Sequence, residues 1–207
     1  MIPNWLLWAR ELQAAAQSGL AYAGSPYDQA RYRDLMALAA RMMSESAGEE
    51  LSLVEAAFAL QKGYATPKVD VRGAIFRHRE VLLVAETIDG GRWTLPGGFA
   101  DVNETPSQSV IREVAEEAGY VVTVKKLCAV YDRDKRGHPR PHPFHIYKLM
   151  FLCEEIGTCP KSDLETGEAR FFPIEALPEL SAGRTLPWQI ERLYDHSQDL
   201  SLPTDFD

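Results

Sequence analysis

Cysteine is scarce in this sequence, and the few cysteines form no recognisable disulfide or metal-binding pattern. Cys128, Cys153 and Cys159 are odd in number and include no CxxC pair. A disulfide framework needs paired cysteines, and a structural zinc site needs closely spaced ones. The sequence supports neither, and we expect all three residues to be reduced thiols.

Long apolar runs are also missing. No run approaches the roughly 18 residues that a membrane-spanning helix needs. The first residues, MIPNWLLWARELQ, have no basic segment before their short apolar stretch, as a secretory signal would have. We therefore expect a soluble, cytoplasmic protein that makes no membrane contact.

Positive charge is in deficit, with 22 Lys and Arg residues against 30 Asp and Glu residues and a formal net charge of −8. Proteins that grip nucleic acid over a broad surface neutralise many phosphates, which this balance disfavours. We expect no extended nucleic-acid surface. An anionic ligand must instead find a local cationic site, most simply a bound metal ion.

The first 65 or so residues have the apolar spacing of helices. Ser25 before Pro26 predicts the start of a second helix, and Ser52 with Glu55 forms a capping-box pattern for a third helix that ends near Gly63. The positions predicted to be buried are Trp5, Trp8, Leu12 and Ala16 in the first helix and Tyr32, Leu35, Met36, Ala39, Met42 and Met43 in the second.

A boundary is expected at Thr66 and Pro67, because the residue before a proline is pushed away from helical geometry. The sequence thus predicts a small all-helical domain over residues 1–66 and a second domain over residues 67–207. The helical segment has more apolar side chains than it can bury by itself, which predicts a homodimer or packing on another surface.

Beyond residue 67 the apolar period becomes that of strands. Strands and two helices alternate over this region, which predicts an α/β sandwich with a mixed sheet. The predicted strands cover residues 69–76, 80–85, 92–95, 121–130, 145–153 and 169–172, and the predicted helices cover about 106–118 and 186–196.

The predicted helix over residues 106–118 has local signals at both ends. Thr105 is a suitable N-cap, Pro106 occupies the first helical position and Gly119 can end the helix in a left-handed conformation. At about 100° per residue, the apolar side chains cover one face. Three carboxylates, Glu113, Glu116 and Glu117, cover the opposite face.

Such crowding of like charges has two explanations. One is a solvated helix face that Arg112 partly neutralises. The other is a site for a hard cation, since Mg²⁺ and Mn²⁺ prefer oxygen ligands and carry the charge that attracts phosphates.

The segment from Gly98 to Tyr120 resembles the Nudix box. Gly98, Glu104 and the run REVAEEAG over residues 112–119 match its pattern, and only the last position, usually a bulky aliphatic residue, departs as Tyr120. The preceding WTLPGG over residues 93–98 is similar to the usual approach to that box. The resemblance extends over residues 69 to about 195 and implies an α/β/α sandwich. The helical start is similar to the extension of a bacterial subgroup active on nucleoside-diphosphate-linked compounds.

The resemblance implies roles for the box residues. Glu113, Glu116 and Glu117 would bind Mg²⁺ or Mn²⁺, and the carbonyl of Gly97 would add a ligand. Arg112 would pair with carboxylates, Glu104 among them, and hold loop and helix in register.

A carboxylate must also accept the proton of the attacking water. Glu113 is the candidate in the box, and Glu165 and Glu168 in SDLETGEARFF are the candidates in a later loop. For these two loop residues, ordinary solvation is an equal alternative.

The stretch from Tyr131 to His145 is rich in charge, histidine and proline, and such a loop can cover an active site. A plain solvated loop is the alternative, and a zinc site from the three histidines is disfavoured by their loose spacing. The candidate substrate-binding residues are Tyr131, Arg133, Arg140, His142 and Phe144, with Tyr131 or Phe144 against one end of the substrate.

The sequence therefore predicts a metal-dependent pyrophosphohydrolase that cleaves a small nucleoside diphosphate linked to another moiety, such as ADP-ribose, CDP-choline or a sugar nucleotide. The product would be a nucleoside monophosphate. Alternatives are an RNA 5′ pyrophosphohydrolase, a nucleoside triphosphate sanitiser and, from another class, a non-catalytic nucleotide sensor.

Overall fold

The computed structural model describes residues 3–139, 142–162 and 166–207. These residues form two compact units. One unit contains residues 3–68 and 142–145, and the other contains residues 69–139, 146–162 and 166–207. Residues 142–145, which the sequence assigns to the second domain, thus belong with the helices. No helix in the described ranges is both long and apolar enough to cross a membrane.

The helical unit contains α1 (Asn4–Tyr22), α2 (Pro26–Ala47) and α3 (Leu51–Ala59). Of the stripe predicted for α1, Ala16 is buried and Trp5 and Leu12 pack against the core. The prediction for Trp8 is wrong, because Trp8 is 58% exposed whereas Leu6 and Ala9 are buried. Small side chains explain this choice, since alanines allow two helices to approach more closely than an indole would. The buried core consists of Leu6, Ala9, Ala39, Ala40, Met43, Val54 and Phe58.

The capping box predicted for α3 is also wrong. Glu50 is the N-cap residue, and the Ser52 hydroxyl bonds with the Glu50 carboxylate at 2.5 Å instead of with the helix backbone. The helix ends at Ala59, before Gly63. Ser25 does precede α2, but its side chain makes no capping hydrogen bond.

The second unit is built on a mixed sheet. Its elements are β1 (Lys68–Arg77), β2 (Glu80–Glu86), β3 (Arg92–Thr94), α4 (Pro106–Ala118), β4 (Tyr120–Asp132), β5 (Ile146–Thr158), β6 (Thr166–Pro173), α5 (Pro187–Gln198) and β7 (Asp205–Phe206). The strand order is β3-β2-β1-β5-β4-β7, and β6 also pairs with β2. The β4–β7 pair is parallel, and β2 pairs antiparallel with β1, β3 and β6.

One helix packs on each face of this sheet, which confirms the predicted α/β/α sandwich. On one face, Val110 and Val114 of α4 pack with Val71, Ile75 and Phe151 of the sheet. On the other face, Ile190 and Leu193 of α5 pack with Ala74, Leu83 and Met150 of the sheet. Gly73 in β1 allows α4 to come close, because a Cβ atom there would lie 2.9 Å from a Val114 methyl group. Cys128, Cys153 and Cys159 are free thiols, as expected.

Candidate active site

Local interactions at its two ends fix the position of α4. The Thr105 hydroxyl accepts a hydrogen bond from the Gln108 backbone N–H at 3.2 Å, and the Gln108 side chain accepts one from the Thr105 N–H at 2.8 Å. Gly119 ends the helix with a φ of 73°. Val110 and Val114 are fully buried against the sheet. The glutamates on the opposite side of the helix are therefore held in place by the packing of these valines.

Arg112 connects α4 to the preceding loop. Its Nε atom donates to Glu104 Oε1 at 2.9 Å, and its Nη1 atom donates to Glu113 Oε1 at 2.9 Å and to Glu116 Oε2 at 3.0 Å. The bond from Arg112, followed by that from Ser109, lowers the pKa of Glu104. The ion pair between Arg112 and Glu104 that the resemblance implies is thus present.

The loop that follows β3 lies directly on β1. Val71 N–H donates to Gly98 O at 2.8 Å, and Gly73 N–H donates to Pro96 O at 2.9 Å. Between these two bonds, Gly97 has a φ of 138°, and a Cβ atom there would lie 2.0 Å from the Val71 carbonyl oxygen. Only glycine fits such a backbone approach. The Gly97 N–H then donates to Glu117 Oε2 at 2.7 Å, which joins the loop to the last turn of α4.

Two of the helix carboxylates, those of Glu113 and Glu117, are partly buried. Burial raises the pKa of Glu117 to about 7, against the opposing effects of the Arg72 charge and the Gly97 N–H. Burial likewise raises the pKa of Glu113, and the Glu113 charge adds to the shift at Glu117. Gly98 leaves room for this arrangement, since a Cβ atom there would lie 3.1 Å from Glu113 Oε2. Like charges crowded in this way favour a nearby cation.

These residues fit a hard divalent cation by their donor chemistry, because carboxylate and carbonyl oxygens are the ligands that Mg²⁺ and Mn²⁺ prefer. Within residues 3–139, 142–162 and 166–207, no three His, Cys, Asp or Glu side chains are already arranged as a metal site. Glu113 and Glu116 accept hydrogen bonds from Arg112, and Glu117 accepts one from the Gly97 N–H. The roles of these glutamates as ligands therefore stay predictions.

The two candidate bases outside α4 differ in what the structure shows of them. Glu165 lies outside the described residues. Glu168 is exposed and belongs to the strand β6, although the sequence places it in a loop just before a strand. The strand begins earlier than predicted because Thr166 already pairs with Glu86 of β2.

Two of the candidate substrate-binding residues, Tyr131 and Arg133, are buried where the sequence predicts an exposed loop. The Tyr131 hydroxyl donates to Asp205 at 3.2 Å, and its ring lies 5.5 Å from that of Trp188. The Arg133 guanidinium donates to Gly183 O at 3.1 Å. Both groups thus find partners in the interior, and the structure gives Tyr131 no exposed ring face for a nucleobase.

The remaining members of this loop lie elsewhere. His142 and Phe144 belong to the helical unit, where the His142 ring accepts a hydrogen bond from Phe144 N–H at 3.1 Å and the Phe144 ring lies 6.1 Å from that of Phe58. Arg140 lies outside the described residues. The proposed binding roles of these three residues stay predictions without structural support.

Sequence reasoning missed a group of buried charges on β1 and β5. Asp70, Arg72 and Lys148 are 6%, 1% and 2% exposed. Arg72 binds Asp70 through Nε at 3.0 Å and Nη2 at 2.8 Å, and Lys148 Nζ donates to Asp70 Oδ1 at 2.6 Å. Despite burial, the charges of Arg72 and Lys148 lower the pKa of Asp70. Burial lowers the pKa of Lys148 to about 8, with Asp70 opposing. Asp70 and Arg72 stand at alternate positions of a strand that is otherwise mostly apolar, and this pattern is the signal in the sequence that could have revealed the group.

Comparison with known proteins identifies the family. Residues 66–193 match the family model described as the NUDIX domain. This chain belongs to the Nudix hydrolase family. Residues 3–58 match a second model, described as a UDP-X-like, N-terminal oligomerisation domain. Both the box resemblance and the resemblance of the helical extension are thereby confirmed.

Similar proteins extend the Nudix match to nearly the whole chain. A Bacillus subtilis (strain 168) protein provisionally named ADP-ribose pyrophosphatase YjhB is 40% identical over 99% of this chain and 97% of its own length. An ADP-ribose pyrophosphatase of Streptococcus suis has a solved structure with a TM-score of 0.62 and 35% identity, covering 69% of this chain and all of that one. A solved UDP-X diphosphatase also has a TM-score of 0.62, at 28% identity over 99% and 98% of the two chains.

Proposed function

We propose that this Nudix hydrolase cleaves the phosphoanhydride of a small nucleoside diphosphate linked to another moiety, in a reaction that requires Mg²⁺ or Mn²⁺. ADP-ribose is the first substrate to test, because relatives named for ADP-ribose are 40% and 35% identical to this chain. The UDP-X diphosphatase acts, by its name, on the same class of linked nucleotides. The products would be a nucleoside monophosphate and a phosphorylated fragment.

The observation that carries this proposal is the carboxylate face of α4 beside the Gly97 loop. Glu113, Glu116 and Glu117 would hold the ion, and Arg112 would keep Glu104 and the helix in register. When bound, a divalent ion neutralises phosphate oxygens and lowers the pKa of a coordinated water. The chain itself supplies the fixed carboxylates, the Gly97 carbonyl and a general base, for which Glu113, Glu165 and Glu168 are the alternatives.

Small substrates should be preferred over RNA. The described cations of the loop after β4 are already paired with acidic neighbours: Arg133 with Asp134, Lys135 with Asp132 and Arg136 with Asp207. They therefore offer little positive charge to a polynucleotide backbone. We expect kcat/KM for one small nucleoside-diphosphate derivative to exceed that for 5′-triphosphate RNA by about tenfold or more. Comparable or faster processing of RNA in the same buffer would overturn this preference.

We further propose that residues 1–66 form a dimerisation domain and that the hydrolase domain lies within residues 67–207, apart from residues 142–145, which group with the helices. Supporting this, the matching family model is described as an oligomerisation domain. Trp8, Tyr27, Leu53 and Leu60 are 58%, 81%, 61% and 80% exposed on this unit. Exposed apolar side chains in such number favour a protein partner. A stable monomer in light scattering at micromolar concentration would contradict the proposal. The cytoplasmic location stays a prediction, which cell fractionation tests.

The experiment that tests the activity is a panel of ADP-ribose, CDP-choline and sugar nucleotides incubated with the full chain and Mg²⁺ or Mn²⁺, with products identified by mass. Glu117→Gln is the control for the site. Cleavage by the wild type and its loss in the variant would support the proposal. If no member of the panel is cleaved with either ion, the proposed substrate class is wrong.

A further inference from the structure

The second unit buries three charged side chains, Asp70, Arg72 and Lys148, in the middle of its sheet. Taking charges out of water is costly, and apolar residues of similar volume often stabilise a fold as well or better. Stability alone therefore gives a weak reason for this group. Its connections to the rest of the unit point to another role.

Arg72 reaches beyond Asp70 to the loop that leaves β3. Its Nη1 atom donates to Leu95 O at 3.0 Å. On the other side of the same residue, Leu95 N–H donates to Thr185 Oγ1 at 3.3 Å, and Thr185 Oγ1 also lies 2.9 Å from Thr94 Oγ1. Thr185 and Thr94 are both fully buried. Side chains of the interior thus bind both polar main-chain atoms of Leu95.

Leu95 stands two residues before Gly97, whose N–H bonds with Glu117. A movement of the Leu95 peptide would therefore be passed through Pro96 to the point where loop and helix meet. Arg72 also interacts electrostatically with Glu117, a carboxylate of the site, and with the buried Glu86.

We propose that Asp70, Arg72, Lys148, Thr94 and Thr185 form a positioning network that fixes the Gly97 loop against α4 and so sets the geometry of the metal site. None of the five is a ligand in this proposal. The network acts through the Leu95 peptide. The inference rests on the proposed function in that it assumes a divalent ion at the α4 carboxylates.

Two variants test the network, each with a matched control. Thr185→Val removes the hydroxyl that binds Leu95 and Thr94, and Thr185→Ser keeps a hydroxyl at the same place. Arg72→Lys keeps the charge but loses the planar fork that binds Asp70 and Leu95 together. Its control is Arg77→Lys, because Arg77 lies on the same strand and binds Glu155 in the same two-pronged manner at 2.9 and 2.8 Å, but is 47% exposed.

The readouts are the dissociation constant for Mn²⁺, from calorimetry on the metal-free protein, and kcat and KM for ADP-ribose. In Thr185→Val and Arg72→Lys we expect Mn²⁺ to bind about tenfold more weakly and kcat to fall about tenfold. KM should change less than kcat, while both control variants should stay within about twofold of the wild type. Circular dichroism checks that each variant is folded.

Folded Thr185→Val and Arg72→Lys variants with wild-type Mn²⁺ affinity and kcat would overturn the network. If Arg72→Lys does not fold, the contrast between Thr185→Val and Thr185→Ser decides. A wild type that binds Mn²⁺ but cleaves no ADP-ribose would refute only that substrate, because the Mn²⁺ affinities still test the network. A wild type that binds no Mn²⁺ would overturn both.

Discussion

Replacing Gly97 by alanine would test how tightly the loop of the candidate site lies on β1. At a φ of 138°, the added Cβ atom would lie 2.0 Å from the Val71 carbonyl oxygen and 3.0 Å from Arg72 Cα. Both neighbours are backbone atoms of a central strand, so neither can rotate away. The loop must therefore move off the strand, which disturbs the bond from the Gly97 N–H to Glu117.

The magnitude has two parts. A residue with a side chain in this backbone region costs about 1–3 kcal/mol in strain. Forcing extra volume into a packed region costs about another 1–3 kcal/mol. Gly90→Ala is the matched control, because Gly90 also has a positive φ of 72° but a Cβ atom there would meet nothing within 4 Å. It should show the strain alone, about 1–2 kcal/mol.

The assay is urea unfolding followed by tryptophan fluorescence, with wild type and both variants at one protomer concentration because a dimer makes stability depend on concentration. Gly97→Ala should be less stable than Gly90→Ala by about 1 kcal/mol or more, and it should lose hydrolase activity. Equal stability of the two variants would refute the inferred backbone contact at Gly97.

Five further substitutions, in three groups, test the site and its surroundings. Glu116→Gln and Glu117→Gln should keep the fold but lower turnover by orders of magnitude, because each removes a ligand charge at constant volume; near-normal turnover at saturating Mg²⁺ would contradict the ligand assignment. Of Glu165→Gln and Glu168→Gln, one should lower kcat much more than the other, and negligible effects of both would remove this segment from the mechanism. Burial lowers the pKa of His138 from 6.5 to about 4, and the charges of Lys148 and Arg133 add to the shift. Between these two pH values the unfolded chain binds the proton more readily than the folded chain does. The free energy of unfolding should therefore fall as the pH drops from 6.5 towards 4. Urea unfolding of His138→Gln should show a shallower fall over this range, and an unchanged pH profile would contradict it.

Local signals explain why much of the fold could be predicted from the sequence. Thr105, Pro106 and Gly119 fix both ends of α4 through contacts within a few residues, and short β-branched apolar segments indicate most of the strands. The Arg112–Glu104 pair belongs to the same short motif, and the structure contains it at 2.9 Å.

Features that depend on distant residues could not be found in this way. Lys148 meets Asp70 only because β5 lies beside β1, and Tyr131 is buried because Asp205 and Trp188, far along the chain, provide partners. The strand β7 has two residues, too few to show a period. The side of α1 that is buried depends on how closely α2 can approach.

The most direct test of the proposed activity is the fate of ADP-ribose in ¹⁸O-labelled water, followed by mass spectrometry, with Mg²⁺, with Mn²⁺ and with EDTA. The proposal predicts AMP and ribose 5-phosphate, with one ¹⁸O atom in one of the two products, in the presence of either ion and not in EDTA. It also predicts that Glu117→Gln leaves ADP-ribose intact under the same conditions. Equal hydrolysis in EDTA, or full activity of that variant, would contradict a metal-dependent reaction at the α4 carboxylates.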